Sequence, residues 1–575
     1  MNILKNNTIP DAHRSGLMNA RGLLPCRLVL FLFLAIFLLT NSAAALAWAG
    51  DPDYFLKVNK SIDVFGRVFK EVTLNYVEEI DPERLMHSGV DGMLDGLDPY
   101  TTFIDEGEGD EIELLTTGKY GGIGVMIGAR DGYITVTSLM DGYSAQRQGI
   151  LVGDRIVEID GTSLIGSKPE KVRNLTRGEP GTIVHVKIER EGEPGVLEFS
   201  LVREEVQLKN LSYSEFVGDG IGYVRLDRFS RGAGDELRLA IKELKLKGEL
   251  KGLILDLREN PGGLLESAVD VVSKFVSRGS LIVNTRGRKL DSERRYISQE
   301  EPMLQSEPLV LLVNRNSASA SEIVAGAIQD LDRGIVLGMR TFGKGLVQTV
   351  TPLVYGAQLK MTTAKYYTPS GRCIQEIDYM HKNKDGVFAA TPDSMRREFQ
   401  TARGRKVFEL GGISPDSVVE ALETSTLHQE LLRKSMFFKF ATNFTAQHKD
   451  SLSMTVEEDL LMEDFKKFVN ERLFTYQDKG ETLLKDLREM GVKANYSVAM
   501  MEEIDRLSVQ MKEEKETAYD RYKSEILRAI RIEMAARLGG EKGRIRASLP
   551  GDVQVQAALN ILNSPKRYDH VLAGK

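Results

Sequence analysis

The chain has 575 residues, 42% hydrophobic and 28% charged, an ordinary globular composition with room for three or four domains. A net charge of −7 and an isoelectric point near 5.8 give no basis for nucleic-acid binding, and no long basic run stands out. The cysteines are Cys26 and Cys373 alone, so a chain that loses its N-terminus carries one thiol and no disulfide framework.

Arg21 and Arg27 precede an apolar run, Leu28 to Leu39, and a small-residue stretch ending Ala47-Trp48-Ala49-Gly50. Positive flank, apolar core and A-x-A site read as a secretory signal cleaved after Ala49, with Met18 the more usual start. The span from Leu28 to Ala49 also has the length of an uncleaved anchor, which would tether the protein to a membrane. Cys26 precedes the apolar core, which argues against lipid attachment at a cleavage site. Either way the bulk of the chain is expected outside the cytoplasm, in the periplasm or at the outer face of the inner membrane.

Residues 50–116 read as helical. Val64, Phe65, Val68, Phe69 and Val72 recur at helical spacing between Tyr54 and Glu79, and a second helix from Pro82 ends at Asp98-Pro99. Packing is the role expected of them. From 117 to 206 the pattern changes to short strands with glycine turns: Ile123–Ile127, Tyr133–Thr137, Arg155–Ile159 and Ile183–Ile188, with short helices at Ser144–Gln148 and Lys168–Leu175. Gly149 to Ile156 followed by Asp160-Gly161 resembles a PDZ domain of the bacterial type. That resemblance implies capture of an extended C-terminus by strand addition, its carboxylate held by the backbone N–H groups of Gly121, Gly122, Ile123 and Gly124. Alone, those four residues read as a strand entry.

Residues 207–423 alternate strands (Ile221–Leu226, Gly252–Leu257, Leu281–Asn284, Leu309–Asn314, Ile335–Leu337, Gln358–Tyr367) with helices (Ala233–Lys247, Leu264–Arg278, Ala320–Leu331), an α/β layer arrangement. Residues 424–575 read as helical. Ile526, Ile530, Met534 and Leu538 recur every fourth residue, Gly539-Gly540 suits a C-cap, and the stretch from Leu549 to Tyr568 reads as a short helix and tail. Such a stripe is more often core than partner surface; self-association or an adaptor protein is the functional alternative.

Chemistry concentrates at Asn316 to Ile323 (NSASASEI) and Thr341 to Gly345 (TFGKG). Ser319 falls where a helix begins, where free N–H groups favour developing negative charge. Lys344 lies in a glycine-bounded turn, and Gln348 shares its face if the following segment is a strand. Singly, the serine run reads as an N-cap and Gly-Lys-Gly as a turn. Together they supply a nucleophile, a base and an amide that would hold the amine. Lysine can accept a proton only when burial depresses its pKa, and Phe342, Leu346 and Val347 would make the apolar pocket. The seven histidines, His13, His87, His185, His381, His428, His448 and His570, form no triad motif and no zinc-ligand spacing. No metal and no cofactor signature is found.

Asn314 to Asp330 (NRNSASASEIVAGAIQD) with Thr341 to Gln348 (TFGKGLVQ) resembles the catalytic region of the carboxy-terminal processing peptidases, also called tail-specific proteases. Asp256 to Gly263 (DLRENPGG), Lys365 to Gln375 (KYYTPSGRCIQ), Gly411 to Asp416 (GGISPD) and the upstream Leu97-Asp98-Pro99 extend the resemblance over roughly residues 51 to 420. It implies a Clp protease/crotonase-like α/β core and Ser/Lys catalysis by Ser319 and Lys344. The lysine offset singles out Ser319 over Ser317 and Ser321. Ala320 and Gly262 would donate N–H groups to the oxyanion, with Gly263 a rival for the second donor. Arg177, otherwise a helix-end cation, would link tail capture to site assembly. The partners implied are protein substrates with exposed C-terminal tails. A silent PDZ scaffold on a peptidase-like core and a crotonase-like acyl transformation are the competing functions.

Overall fold

The computed structural model describes residues 52–106, 113–114, 116–288, 292–382, 388–390, 394, 396–448 and 457–574. The expected signal or anchor, and Cys26, lie outside them. Among the described residues no helix is long and apolar enough to cross a membrane.

The chain divides into two units at Met93/Leu94. The first contains helices Pro52–Asn75 and Pro82–Leu94, the second of which reaches the boundary. The Asp81 carboxylate caps this second helix by accepting the Glu83 N–H at 3.0 Å, and Phe65 packs against Gly89 across the hairpin.

In the second unit, six strands between Val125 and Val202 form the sheet expected of a PDZ domain, flanked by helices Ser144–Arg147 and Pro169–Thr176. Strand Ile183–Glu189 shows why: Val184, Val186 and Ile188 are buried beside Ile134, Ile156, Val172 and Leu201, while His185 points outward. The two segments entering and leaving this domain, Lys119–Gly122 and Glu204–Gln207, pair as an antiparallel ribbon.

The peptidase-like region contains a six-stranded sheet ordered Leu211–Gly218, Ile221–Leu226, Gly252–Asp256, Leu309–Val313, Ile335–Gly338, Ser417–Val418, parallel after its first pair. Its strands are apolar runs because both faces are covered. Leu309, Leu311 and Val313 face helices Ala233–Lys247, Leu265–Ser273 and Ala320–Asp330, whereas Val310 and Leu312 face the opposite way. A second sheet of five strands contains Thr102–Ile104, Leu346–Pro352, Gln358–Tyr367, Leu281–Gly287 and Arg294–Ile297.

The opposite face of the six-stranded sheet departs from the sequence reading. Ile545, Leu549, Val555, Ala558, Ile561, Leu562, Tyr568 and Leu572 pack on it, and the Tyr568 hydroxyl accepts the Leu309 N–H at 3.1 Å. Helices Val553–Leu562 and Pro565–Leu572 therefore complete the α/β core rather than forming a tail beyond it. The end of the 424–575 helical region thus packs as part of the α/β body, with these side chains turned to the sheet. The preceding helices make their own core, with Phe437, Phe440 and Phe465 against Ile526, Ile530 and Met534; Leu538 is exposed. The helical backbone breaks at Gly539-Gly540 (φ −127° and +59°) and then resumes to Ser548.

The helical region also grips the PDZ domain. The Arg130 and Arg537 guanidiniums lie over the Phe438 ring at 4.2 and 4.5 Å, and Lys439 pairs with Asp131 at 2.5 Å.

Candidate functional site

Strand Leu309–Val313 delivers the chain to a turn that runs into helix Ala320–Asp330. Ser319, at the junction, has φ +55° and ψ −112°, an unusual conformation for a residue with a side chain. The neighbouring serines are committed elsewhere: Ser317 Oγ donates to the Leu257 carbonyl and Ser321 Oγ to the Asn260 carbonyl, each at 2.8 Å, and both residues are fully buried. Ser319 remains half-buried.

Glu322 fixes that turn to the lysine loop. Its buried carboxylate accepts four hydrogen bonds: Oε2 from the N–H groups of Ser319 (2.8 Å) and Lys344 (2.9 Å), Oε1 from the Gly343 N–H (2.7 Å) and the Thr341 hydroxyl (2.6 Å). Burial pushes the Glu322 carboxyl up to about 7, although all four donors favour the anion. The Tyr366 hydroxyl donates toward the carbonyl oxygens of both Ser319, at 3.1 Å, and Lys344. Motifs outside the site brace it: the Ile413 N–H donates to Thr341 Oγ1 and the Gly345 N–H to Gln375 Oε1, each at 2.7 Å.

Burial, reinforced by the Lys360 ammonium, lowers the Lys344 amine to about 8, against the opposing pull of Asp98 and Glu322. The pocket differs from the one expected. Leu346 is buried and Val347 half-buried, but Phe342 is exposed. The aromatic face against the amine is Tyr100, with Nζ 4.1 Å from the ring centroid. Gln348 also departs from expectation: its amide donates to Thr362 Oγ1 at 3.2 Å instead of holding the amine. The geometry accounts for this, because Thr362 lies opposite Gln348 on the paired strand.

The Ala320 N–H, first of its helix, has no intrahelical acceptor and so is available to an oxyanion. The proposed second donor, the Gly262 N–H, instead donates to Asn260 Oδ1 at 2.9 Å. Gly262 nonetheless abuts the Ser319 turn. At its φ of +102°, an added Cβ would lie 2.7 Å from the Ala318 carbonyl oxygen and 2.9 Å from both Ala320 N and Ser319 Cβ. Asn260 is fully buried and also donates to the Leu226 carbonyl at 2.7 Å. Upstream, Arg258 pairs with Asp256 at 2.6 Å and Asp552 at 2.8 Å, which ties this loop to the C-terminal helices.

In the PDZ domain, Gly121 and Gly122 lie opposite Glu205 and Glu204 in the ribbon, and Ile123 is buried. A Cβ on Gly121 would fall 1.9 Å from the Gly178 carbonyl oxygen, so only glycine lets the loop meet the end of helix Pro169–Thr176. Gly124 has φ +78° and abuts Tyr143. Arg177 caps that helix and lies 5.1 Å from the Tyr120 ring centroid, one residue before Gly121.

The sequence pattern does not single out Glu322, Tyr100, Asn260 or Tyr366. For Glu322 a signal existed: Ser319-x-x-Glu322 is a capping-box pattern at the start of an apolar helix. Tyr100 is far from Lys344 in the chain and carries no such signal.

Residues 220–381 match peptidase family S41, residues 135–190 a PDZ domain, and residues 427–562 the C-terminal helical domain of probable PDZ-proteases. The carboxy-terminal-processing protease of Bartonella bacilliformis is 37% identical over 354 residues, covering 61% of this chain and 81% of that protein. CtpA, a carboxy-terminal processing protease of Bacillus subtilis, is 31% identical over 375 residues, covering 64% and 78%. Among solved structures, the photosystem II D1 C-terminal processing protease matches at 29% identity, covering 61% of this chain and 85% of that one, with a TM-score of 0.35. Identity of this extent, joined to the S41 and PDZ matches, establishes that the chain belongs to the carboxy-terminal processing proteases, serine peptidases of family S41 that carry a PDZ domain.

Proposed function

We propose that this protease is a Ser/Lys endopeptidase that takes unstructured C-terminal tails through its PDZ domain and acts on exported proteins in the periplasm or at the outer face of the inner membrane. The observation that carries the catalytic assignment is the Glu322 clamp, which joins Ser319 to a lysine whose pKa burial brings down to about 8. Neutral Lys344 accepts the Ser319 proton as Oγ attacks the carbonyl carbon, then returns it to the leaving amine. The Ala320 N–H meets the oxyanion, and Gly262 adds a second donor once its N–H is released from Asn260. Gln348 orients the amine after leaving Thr362. The leader sequence supports export, and the glycine loop beside helix Pro169–Thr176 supports tail capture.

The test is degradation of an unfolded reporter with an apolar C-terminal tail by the mature protein and by Ser319→Ala and Lys344→Ala. Cleavage by the parent and by neither variant is expected. Undiminished cleavage by either variant would reject its residue's role, and a silent parent that still binds the tail would favour the scaffold.

A further inference from the structure

The turn Asp98-Pro99-Tyr100-Thr101 lies outside the S41 match yet reaches the base. Asp98 shapes it: Oδ1 accepts the Tyr100 and Thr101 N–H groups at 2.9 and 3.0 Å, and Oδ2 accepts the Thr101 hydroxyl at 3.0 Å. Strand Thr102–Ile104 then pairs antiparallel with Gln358–Tyr367, Thr102 opposite Lys360. Three further bonds, each 3.2 Å, stitch turn to strands: Thr362 N–H to Thr101 Oγ1, Thr362 Oγ1 to Asp98 Oδ1, and Gln348 Nε2 to Thr362 Oγ1. Tyr379 props the Tyr100 ring edge-on, with centroids 6.0 Å apart. So held, the ring presents its face to Lys344 Nζ at 4.1 Å. An ammonium over a ring face is attracted by the quadrupole, and a neutral amine gains little from it.

We propose that Tyr100 is a positioning residue for the base: its ring parks the protonated Lys344 amine, while the Asp98–Thr362–Gln348 chain keeps the orienting amide engaged nearby. The proposal rests on the Ser/Lys reading. The amine leaves the ring as it gives its proton to solvent, and Gln348 becomes free to receive it when its bond to Thr362 opens. The charged and titratable groups facing Lys344 are Lys360 from the neighbouring strand, Asp98 from the turn, Glu322 from the helix, and the Tyr100 and Tyr366 phenols. Leucine at position 100 keeps the apolar bulk and removes the quadrupole, so Lys344 should lose its proton at lower pH.

The experiment is competitive pulse labelling of amines across pH, with Lys344 followed by mass spectrometry, in the full chain carrying Ser319→Ala to prevent self-digestion. Tyr100→Leu should lower the Lys344 midpoint by about half to one pH unit, and Tyr100→Phe should leave it in place. In the active chain, the acid limb of kcat/KM should move with the midpoint. Tyr100→Met substitutes if the leucine variant does not fold. An unmoved midpoint without the ring, or an equal shift in Tyr100→Phe, would overturn the proposal alone. A shifted midpoint with an unmoved kcat/KM limb would overturn the assignment of Lys344 as base, and the proposal with it.

Discussion

Replacing Glu322 by glutamine tests whether one carboxylate sets the geometry of the proposed catalytic pair, Ser319 and Lys344. Two donors, the Ser319 and Lys344 N–H groups, converge on Oε2, and two others, from Gly343 and Thr341, on Oε1. Whichever way the new amide turns, its NH2 group faces two donors. Two bonds to a charged acceptor are lost, about 3–6 kcal/mol before relaxation. An opposing effect applies, because the glutamine carries no charge and removes the burial penalty that raises this carboxyl to about 7 despite its four donors. The loss of stability is therefore smaller than the two bonds alone would cost, and the fold survives it. Activity is the sharper reading, since displacement of the reacting groups by about 1 Å costs on the order of 100-fold. Thermal unfolding beside kcat on a tail-bearing reporter should give a folded Glu322→Gln protein with kcat lowered about 100-fold or more. A folded variant within about threefold of the parent kcat would refute the argument.

Cleavage should rise with pH through about 7 to 8, as Glu322 ionises and Lys344 loses its proton; a pH–rate profile flat across that range would contradict both assignments. The sign for stability is opposite: the raised Glu322 pKa contributes stability at acid pH that is lost as pH rises through about 7, and denaturation of parent against Glu322→Gln across pH 4–8 should show it. Gly262→Ala should destabilise the loop, since its φ of +102° is strained for alanine and its methyl would press on Ala318 O and Ala320 N, and the folded fraction should lose about 100-fold or more in kcat; normal kcat would remove Gly262 from the site. Deleting residues from Ile545 onward should abolish soluble folding, since six of the side chains lost (Leu549, Val555, Ile561, Leu562, Tyr568, Leu572) represent roughly 9–18 kcal/mol of burial. A soluble deletion product with native circular dichroism would show that burial to be dispensable. Arg177→Ala should lower turnover while tail binding to the PDZ domain persists, and unaltered turnover would reject a coupling role for the cation over Tyr120.

Periodicity made much of the fold legible. Strands Ile221–Leu226, Arg155–Ile159 and Gln358–Tyr367 and helix Ala233–Lys247 are read correctly to the residue, because alternation and apolar runs report burial directly. What periodicity cannot report is which surface an element packs on. Val553–Leu572 reads as helical from its spacing, but nothing local says that Ile561 and Tyr568 meet Ile254 and Val310. The same limit applies at the site. Ser319 and Lys344 stand out by motif, whereas Tyr100 arrives beside the amine through a strand pairing that no neighbouring residue announces. The Gly262 N–H shows a subtler case: the motif marks the loop, but Asn260, two residues earlier, occupies the donor that an oxyanion would need.

The closing of the central sheet by the last helices has a consequence for how the molecule is made. The bond between Tyr568 and Leu309 spans 259 residues, so the sheet that leads into the Ser319 turn keeps one face uncovered until the helices around Tyr568 have been made. Contacts so distant in the chain form late and slowly. Arg258, beside the Gly262 loop, likewise waits for Asp552. A growing chain therefore has Ser319 and Lys344 long before it has the helices that pack on the opposite face of the central sheet.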